Sequence, residues 1–184
     1  SDEEAIRNTE LTHLILKCSG YSRYEISNYC LPGHQSRHNK VYWKGLGWWS
    51  FGQGSTSSPW GEKFTRPRVS SKYKEWVIKQ YENNLDSTLI NENFVYEELD
   101  EKIMLGLRLK EGIDIHKVFK EQKWDNKILE SNLRKLLEEW EGFLQSGILL
   151  RRGNRFFLRD PEGMELSNQV IISMFKWWDK INKD

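Results

Sequence analysis

The chain has 184 residues, enough for one domain or for a domain with a small addition. Its 28 Lys and Arg nearly balance 27 Asp and Glu, which argues against a general nucleic-acid-binding protein, because such proteins carry a large basic excess. No apolar run approaches the ~18 residues that span a bilayer, so a membrane-spanning helix is excluded. The two cysteines, Cys18 and Cys30, are too few for a disulfide framework.

The start of the sequence bears on where the protein resides. The first residue is Ser1 and not Met, so we expect a chain that has been processed, tagged or cut from a longer one. Acidic residues follow it, and the cationic and apolar stretches of a secretion signal are missing. We therefore expect a cytoplasmic location, or a mitochondrial or plastid one if a targeting segment has been removed.

Residues 21–76 combine positive charge with aromatic side chains. They hold nine Lys and Arg against three Glu, a net charge of +6, and they include five of the nine Trp: Trp43, Trp48, Trp49, Trp60 and Trp76. This composition favours a flat or anionic ligand such as a nucleotide, a porphyrin or single-stranded nucleic acid. A loop-rich region whose aromatic side chains pack against one another explains it equally well.

Hydrophobic spacing predicts the elements of the first half. These are a helix over 3–18, short strands over 24–28 and 48–51, and a helix over 70–83. The first helix carries an apolar stripe of Leu11, Leu14, Ile15 and Cys18. This order of elements is typical of one edge of an α/β sheet, where ligands bind at the ends of strands.

The second half has a different pattern. It predicts a helix over 97–109, a short helix capped by Asp114, a long helix over 126–147, a hairpin of 148–150 with 156–158, and a helix over 164–178. Helices followed by a two-stranded wing suggest a winged-helix-like module. Because the long helix is balanced in charge, we do not expect it to bind DNA.

Several motifs lie in a fixed order along the chain. They read YEISN at 24–28, LPGH at 31–34 and HNKVYW at 38–43, followed by GQGSTS at 52–57, RPR at 66–68 and EKIMLGLRL at 101–109. Together they closely resemble the HemW branch of the radical-SAM coproporphyrinogen III oxidase-like family, with its YEISN, PG and RHN-x-x-YW signature. The likeness covers most of the chain.

The resemblance implies an α/β fold in two parts. Residues 1–95 correspond to the C-terminal part of a radical-SAM-like barrel, that is, to its last strands and helices. Residues 96–184 correspond to the family's helical C-terminal domain with a β-hairpin. The chain therefore matches the C-terminal half of the family's proteins.

The same resemblance implies a cofactor site for heme, and so a role as a heme chaperone in porphyrin metabolism. Its residues are His38 as a ligand of heme iron, with Asn39, Tyr42, Trp43, Arg37, Gly52 and Gly54 around the macrocycle. An imidazole is a good iron ligand, and Arg37 suits a heme propionate. His34 is a candidate second ligand. The alternative for His38 is a hydrogen bond within its own turn.

The cysteines depart from the family's pattern. Its enzymes hold a 4Fe–4S cluster and S-adenosylmethionine through three cysteines spaced CxxxCxxC, whereas Cys18 and Cys30 are twelve positions apart. We therefore expect this chain alone to lack the cluster and its radical chemistry, and no catalytic residue is identified.

Two interpretations of function are open. The first is a non-catalytic binding or structural subunit of a larger assembly, with heme binding retained. The alternative is a heme chaperone or radical-SAM half-protein that works with a separate cluster-bearing chain. Expected partners are other protein subunits or a missing N-terminal half, and a heme acceptor protein.

Overall fold

The computed structural model describes residues 2–59, 63–82 and 98–182. These residues form an α/β structure that divides into two units, one of Ser1–Trp43 with Leu99–Asp184 and one of Lys44–Glu98. The predicted boundary between residues 95 and 96 lies outside the described residues, as does Trp60, and the division at that boundary stays a prediction.

The described residues contain eight helices and seven short strands. The helices are α1 (Asp2–Cys18), α2 (Arg37–Trp43), α3 (Ser70–Glu82), α4 (Leu99–Leu107), α5 (Ile115–Glu121), α6 (Asn126–Gln145), α7 (Glu162–Glu165) and α8 (Ser167–Ile181). The strands are β1 (Ser22–Arg23), β2 (Tyr29–Cys30), β3 (Thr56–Ser57), β4 (Phe64–Thr65), β5 (Ile113–Asp114), β6 (Leu149–Arg152) and β7 (Arg155–Leu158). None of these helices is long and apolar enough to cross a membrane.

The strands form three small antiparallel sheets. They pair as β1-β2, as β3-β4 and as β5-β7-β6. Arg23 lies opposite Tyr29 in the first sheet, and Ile113 lies opposite Phe156 in the third. The predicted α/β class is confirmed, and over residues 2–59, 63–82 and 98–182 the strands close no barrel.

The main core lies in the first unit, where α4, α5, α6 and α8 pack on the third sheet. The apolar stripe of α6 is buried, with Leu136 and Trp140 fully inaccessible to solvent. Phe119 of α5 stacks on Trp177 of α8, with ring centroids 5.4 Å apart. Burial of each such side chain contributes about 1.5–3 kcal/mol. This core holds together the helices of the second half of the chain, which the helical spacing of its apolar residues predicts.

Helix boundaries in this half follow local signals. The carboxylate of Asp114 accepts a hydrogen bond from the Lys117 amide at 2.9 Å, and that of Asp125 accepts one from the Ile128 amide at 2.8 Å. Each satisfies an amide that has no partner inside its helix. The predicted cap at Asp114 is confirmed.

Two predicted strands are wrong. Residues 24–28 form the turn between β1 and β2, where the Tyr24 amide donates to the Asn28 carbonyl, and they supply a single bridge, from Glu25 to Leu109. Residues 48–51 supply a single bridge, from Trp48 to Ser58. A single bridge becomes a strand only when successive residues continue to pair with the neighbouring backbone. The predicted last helix is confirmed over 167–178 as part of α8, and Leu166 separates it from α7.

Helix α1 confirms the predicted helix over 3–18 but leaves its apolar stripe at the surface. Leu11, Leu14 and Ile15 are 52%, 56% and 55% exposed. Cys18, on the same stripe, is also exposed. Contiguous apolar surface of this kind is typical of an interaction site, because exposed apolar area is costly in water.

Candidate functional site

Helix α2 carries the HN-x-x-YW residues. It begins after Ser36, whose hydroxyl accepts a hydrogen bond from the Asn39 amide at 3.2 Å. It ends at Trp43, shortly before Gly45. Since the helix turns about 100° per residue, its side chains divide into an outer and an inner face.

The outer face presents His38. This side chain is exposed, and its Nε2 lies 3.2 Å from the hydroxyl oxygen of Tyr42, one turn along. The two rings meet edge to face with centroids 5.1 Å apart. Nδ1 of His38 forms no hydrogen bond with any residue that the structure describes. The imidazole is therefore oriented by Tyr42 and accessible to a ligand.

The inner face fixes the helix. The Asn39 side-chain amide donates to the hydroxyl of Tyr24 at 3.3 Å. The Arg108 guanidinium lies over the indole of Trp43, 5.8 Å from the ring centroid. Such a cation–π contact contributes about 0.5–1 kcal/mol near a surface. Asn39 and Trp43 thus anchor α2. The Arg108 guanidinium covers one face of the Trp43 indole.

The cations of α2 lie on different sides. Arg37 is adjacent to His38 and is exposed, about 100° around the helix axis from it. Lys40 is two positions from His38, about 200° away and so on the far side. Arg37 is therefore the cation of α2 that lies nearer to the imidazole around the helix axis.

Gly52 and Gly54 lie in the second unit, in the loop before β3. Both have a positive φ, +92° and +72°, a conformation that favours glycine. A Cβ at Gly54 would lie 3.2 Å from the Arg68 side chain, whereas a Cβ at Gly52 would meet nothing within 4 Å. The Ser55 hydroxyl closes this loop with a 2.6 Å bond to the Gly52 carbonyl.

Aromatic side chains of the second unit pack on a buried arginine. Arg66 is 7% exposed, and its Nη1 donates to the Ser57 hydroxyl at 2.9 Å. Its guanidinium lies 5.1 Å from the ring centroid of Phe64 and 5.5 Å from that of Trp76. These contacts favour the alternative in which the aromatic side chains of this segment pack together.

A second polar cluster, in the first unit, has no signal in the sequence. Arg23 Nε donates to the hydroxyl oxygen of Tyr29 at 2.9 Å and lies 3.4 Å from Asp160 Oδ1. His13 Nδ1 lies 3.1 Å from the same hydroxyl oxygen. These residues are separated by up to 147 positions, so no motif spacing joins them.

Comparison with curated proteins gives significant matches. The chain is 32% identical over 171 residues to the heme chaperone HemW of Synechocystis sp., a match covering 88% of this chain and 41% of that protein. The chain belongs to the HemW-like family. The heme chaperone HemW of Lactococcus lactis is 26% identical over 157 residues, 85% of this chain and 38% of that protein.

A third relative comes from a vertebrate. The radical S-adenosyl methionine domain-containing protein 1, mitochondrial, of Danio rerio is 26% identical over 164 residues, 86% of this chain and 34% of that protein. The HemW-like chain thus spans about two fifths of the length of the relatives it matches. The family predicted from the motifs is confirmed. No family model and no solved structure matches the chain.

The cysteines of this HemW-like chain occupy different environments. Cys18 is exposed at the end of α1, and Cys30 is buried in β2; neither forms a disulfide. Over the described ranges, no three His, Cys, Asp or Glu side chains converge as ligands for a metal ion.

Proposed function

We propose that this HemW-like chain binds heme on α2, with His38 as a ligand of the heme iron. The observation that carries the proposal is the exposed imidazole of His38, held at Nε2 by Tyr42. A hydrogen bond at one ring nitrogen orients an imidazole and leaves the other for a metal. The imidazole of His38 would supply one axial ligand of the iron. The Synechocystis relative is named a heme chaperone.

The surrounding residues have separate roles in the proposal. Arg37 pairs with a heme propionate through a charge-assisted hydrogen bond. Asn39 and Trp43 are positioning residues, because their contacts with Tyr24 and Arg108 hold α2 in place. Tyr42 orients the imidazole. The predicted roles of Gly52 and Gly54, which lie in the second unit, stay predictions, and the space beside Gly52 is open.

Titration with heme tests this proposal. We expect the wild-type chain to shift the Soret band of heme, and His38→Ala to weaken binding at least tenfold, because the axial ligand is lost. His116→Ala is the matched control, since His116 lies on α5 in the other half of the chain and should leave the spectrum unchanged.

Either of two results would contradict heme binding at α2. One is a Soret shift that is the same in His38→Ala and in the wild type. The other is a loss of the shift in His116→Ala but not in His38→Ala. The Tyr42→Phe variant adds a finer test, because removal of the orienting hydroxyl should alter the spectrum while retaining binding.

We also propose that the chain works as a non-catalytic subunit that docks through α1. Its two cysteines do not have the CxxxCxxC spacing of the family's enzymes. The exposed stripe of Leu11, Leu14 and Ile15 supports a protein partner. The proposed occupant is a chain that carries the portion of a HemW-like protein that this chain does not match.

Mixing the two chains tests the docking surface. We expect the chain to co-elute in gel filtration with the recombinant remainder of the Synechocystis relative. Leu14→Lys should weaken this association at least tenfold, because a charge replaces an apolar contact. Ile172→Lys is the matched control, since Ile172 is 53% exposed but lies on α8. Failure of the wild-type chain to co-elute, or its self-association instead, would overturn the proposed partner.

The finer architecture belongs to the same proposal. The order α4, β5, α5, α6, β6, β7 supports a winged-helix-like second domain. The correspondence of residues 1–95 with the end of a radical-SAM barrel stays a prediction, since β1 pairs antiparallel with β2 among the described residues. We retain the predicted cytoplasmic or organellar location; the Danio rerio relative is named mitochondrial.

A further inference from the structure

A cleft opens in the first unit between α1, the β1-β2 hairpin and the start of α8. Its volume is about 470 Å³, within the range of small-molecule sites. Helix α1 contributes Asn8, Thr9 and Thr12, and the hairpin contributes Arg23 and Ser27. No side chain of α2 lines the cleft, so a ligand bound there does not depend on heme binding at His38.

Arg23 is the charged group of the cleft that is almost wholly buried. It is 5% exposed, and both Nε and Nη2 donate to the hydroxyl oxygen of Tyr29. Nη1 has no hydrogen-bond partner among the described residues, yet it is not sealed from solvent. The outer edge of the guanidinium, formed by Nη1 and Nη2, is therefore the part that remains available in the cleft.

The orientation of Arg23 is set before any ligand binds. A phenol oxygen accepts two hydrogen bonds, and Arg23 supplies both, so the Tyr29 hydroxyl proton is left to donate to His13 Nδ1 at 3.1 Å. The guanidinium also lies 5.0 Å from the Tyr29 ring centroid. A preorganised donor of this kind loses little entropy when it binds a ligand.

The charges around the cleft favour a ligand with one negative charge over a ligand with two. Asp160 Oδ1 lies 3.4 Å from Arg23 Nε, and Lys110 Nζ lies 3.9 Å from Asp160 Oδ2. Glu165 lines the cleft itself, so the charges of these two cations and two carboxylates cancel. A doubly charged phosphate would therefore face more repulsion from Glu165 than a single carboxylate bound at Arg23.

We infer that this cleft binds a small hydroxylated carboxylate. Two parallel N–H groups of a guanidinium match the two oxygens of a carboxylate. Hydroxyl and amide groups of Thr12, Ser27 and Asn168 suit the hydroxyls of such a ligand, and Ile26 and Met164 supply the apolar wall. The ligand is held by its carboxylate on Arg23 and by its hydroxyls along α1 and α8.

Titration with sodium gluconate, followed by amide chemical shifts, tests the inference. We expect saturable shifts at Thr12, Ser27 and Ser167, and at least tenfold weaker binding of inorganic phosphate. Glucose, which lacks the carboxylate, should produce no saturable shift. Arg23→Lys keeps the charge but removes the paired N–H groups, so it should weaken gluconate binding at least tenfold. Arg134→Lys, an exposed position on α6, is the matched control.

Because Arg23 is buried, a second variant keeps the test independent of folding. Thr12→Val with Ser27→Ala removes two exposed hydroxyls of the cleft and should weaken gluconate binding severalfold. The inference is overturned if gluconate shifts do not saturate, if phosphate binds more tightly, or if this double variant binds gluconate as the wild type does.

Discussion

Replacement of Trp177 by alanine is expected to lower the free energy of unfolding by about 3–5 kcal/mol. Trp177 is 1% exposed and stacks on Phe119. Its indole Nε1 also donates to the Asn132 carbonyl at 3.1 Å, which ties α8 to α6. Truncation removes the stacked surface and this hydrogen bond, and it leaves a cavity. Urea unfolding followed by circular dichroism measures the loss.

A matched pair of smaller changes separates packing from hydrogen bonding. Trp140 is equally buried, but its Nε1 has no hydrogen-bond partner among the described residues. Trp177→Phe should therefore lower the free energy of unfolding by about 1 kcal/mol more than Trp140→Phe does. This difference is the net contribution of one hydrogen bond. Equal losses in the two variants would show that the bond to Asn132 contributes nothing.

Gly112→Ala is expected to destabilise the protein by about 2–5 kcal/mol. Gly112 has a φ of +64° and lies directly before β5. A Cβ there would lie 2.0 Å from the Phe156 carbonyl oxygen, so β5 cannot keep its pairing with β7 unless the backbone moves. The midpoint of urea unfolding, again read by circular dichroism, measures the effect.

The control is Gly153→Ala, in the turn between β6 and β7. Gly153 has a φ of +62°, but a Cβ there would meet nothing within 4 Å. This variant bears only the cost of the left-handed conformation, about 1–2 kcal/mol. If both glycine variants lost the same stability, close packing against Phe156 would not be the cause at Gly112.

An element can be predicted from the sequence when the interactions that form it lie within the element itself. Helix α6 has a cap at Asp125 and a buried stripe, both visible in the sequence, and its start at Asn126 agrees with the prediction. The strand expected at 24–28 is a turn with a single bridge from Glu25 to Leu109, because the extent of pairing depends on a neighbour that alternation does not reveal. Strand β5 is not predicted for the same reason: two residues, Ile113 and Asp114, carry no periodic signal.

The candidate sites show the same contrast. His38 and Tyr42 lie one helical turn apart, so the motif itself predicts their contact once α2 is a helix. The hydrogen bond of Asn39 to Tyr24 needs the chain to fold back over fifteen residues. The cluster of His13, Arg23 and Asp160 joins both ends of the chain, and only tertiary structure reveals it.

The different burial of the two cysteines provides a chemical probe that needs no substitution. A thiol-alkylating reagent should modify exposed Cys18 in the native state, whereas buried Cys30 becomes reactive only when β2 separates from its surroundings. Strand β2 also contains Tyr29, whose hydroxyl oxygen accepts hydrogen bonds from Arg23. The alkylation rate of Cys30 therefore reports how often β2 opens and these hydrogen bonds break. Protection of Cys30 by an added ligand would then measure occupancy of the neighbouring cleft.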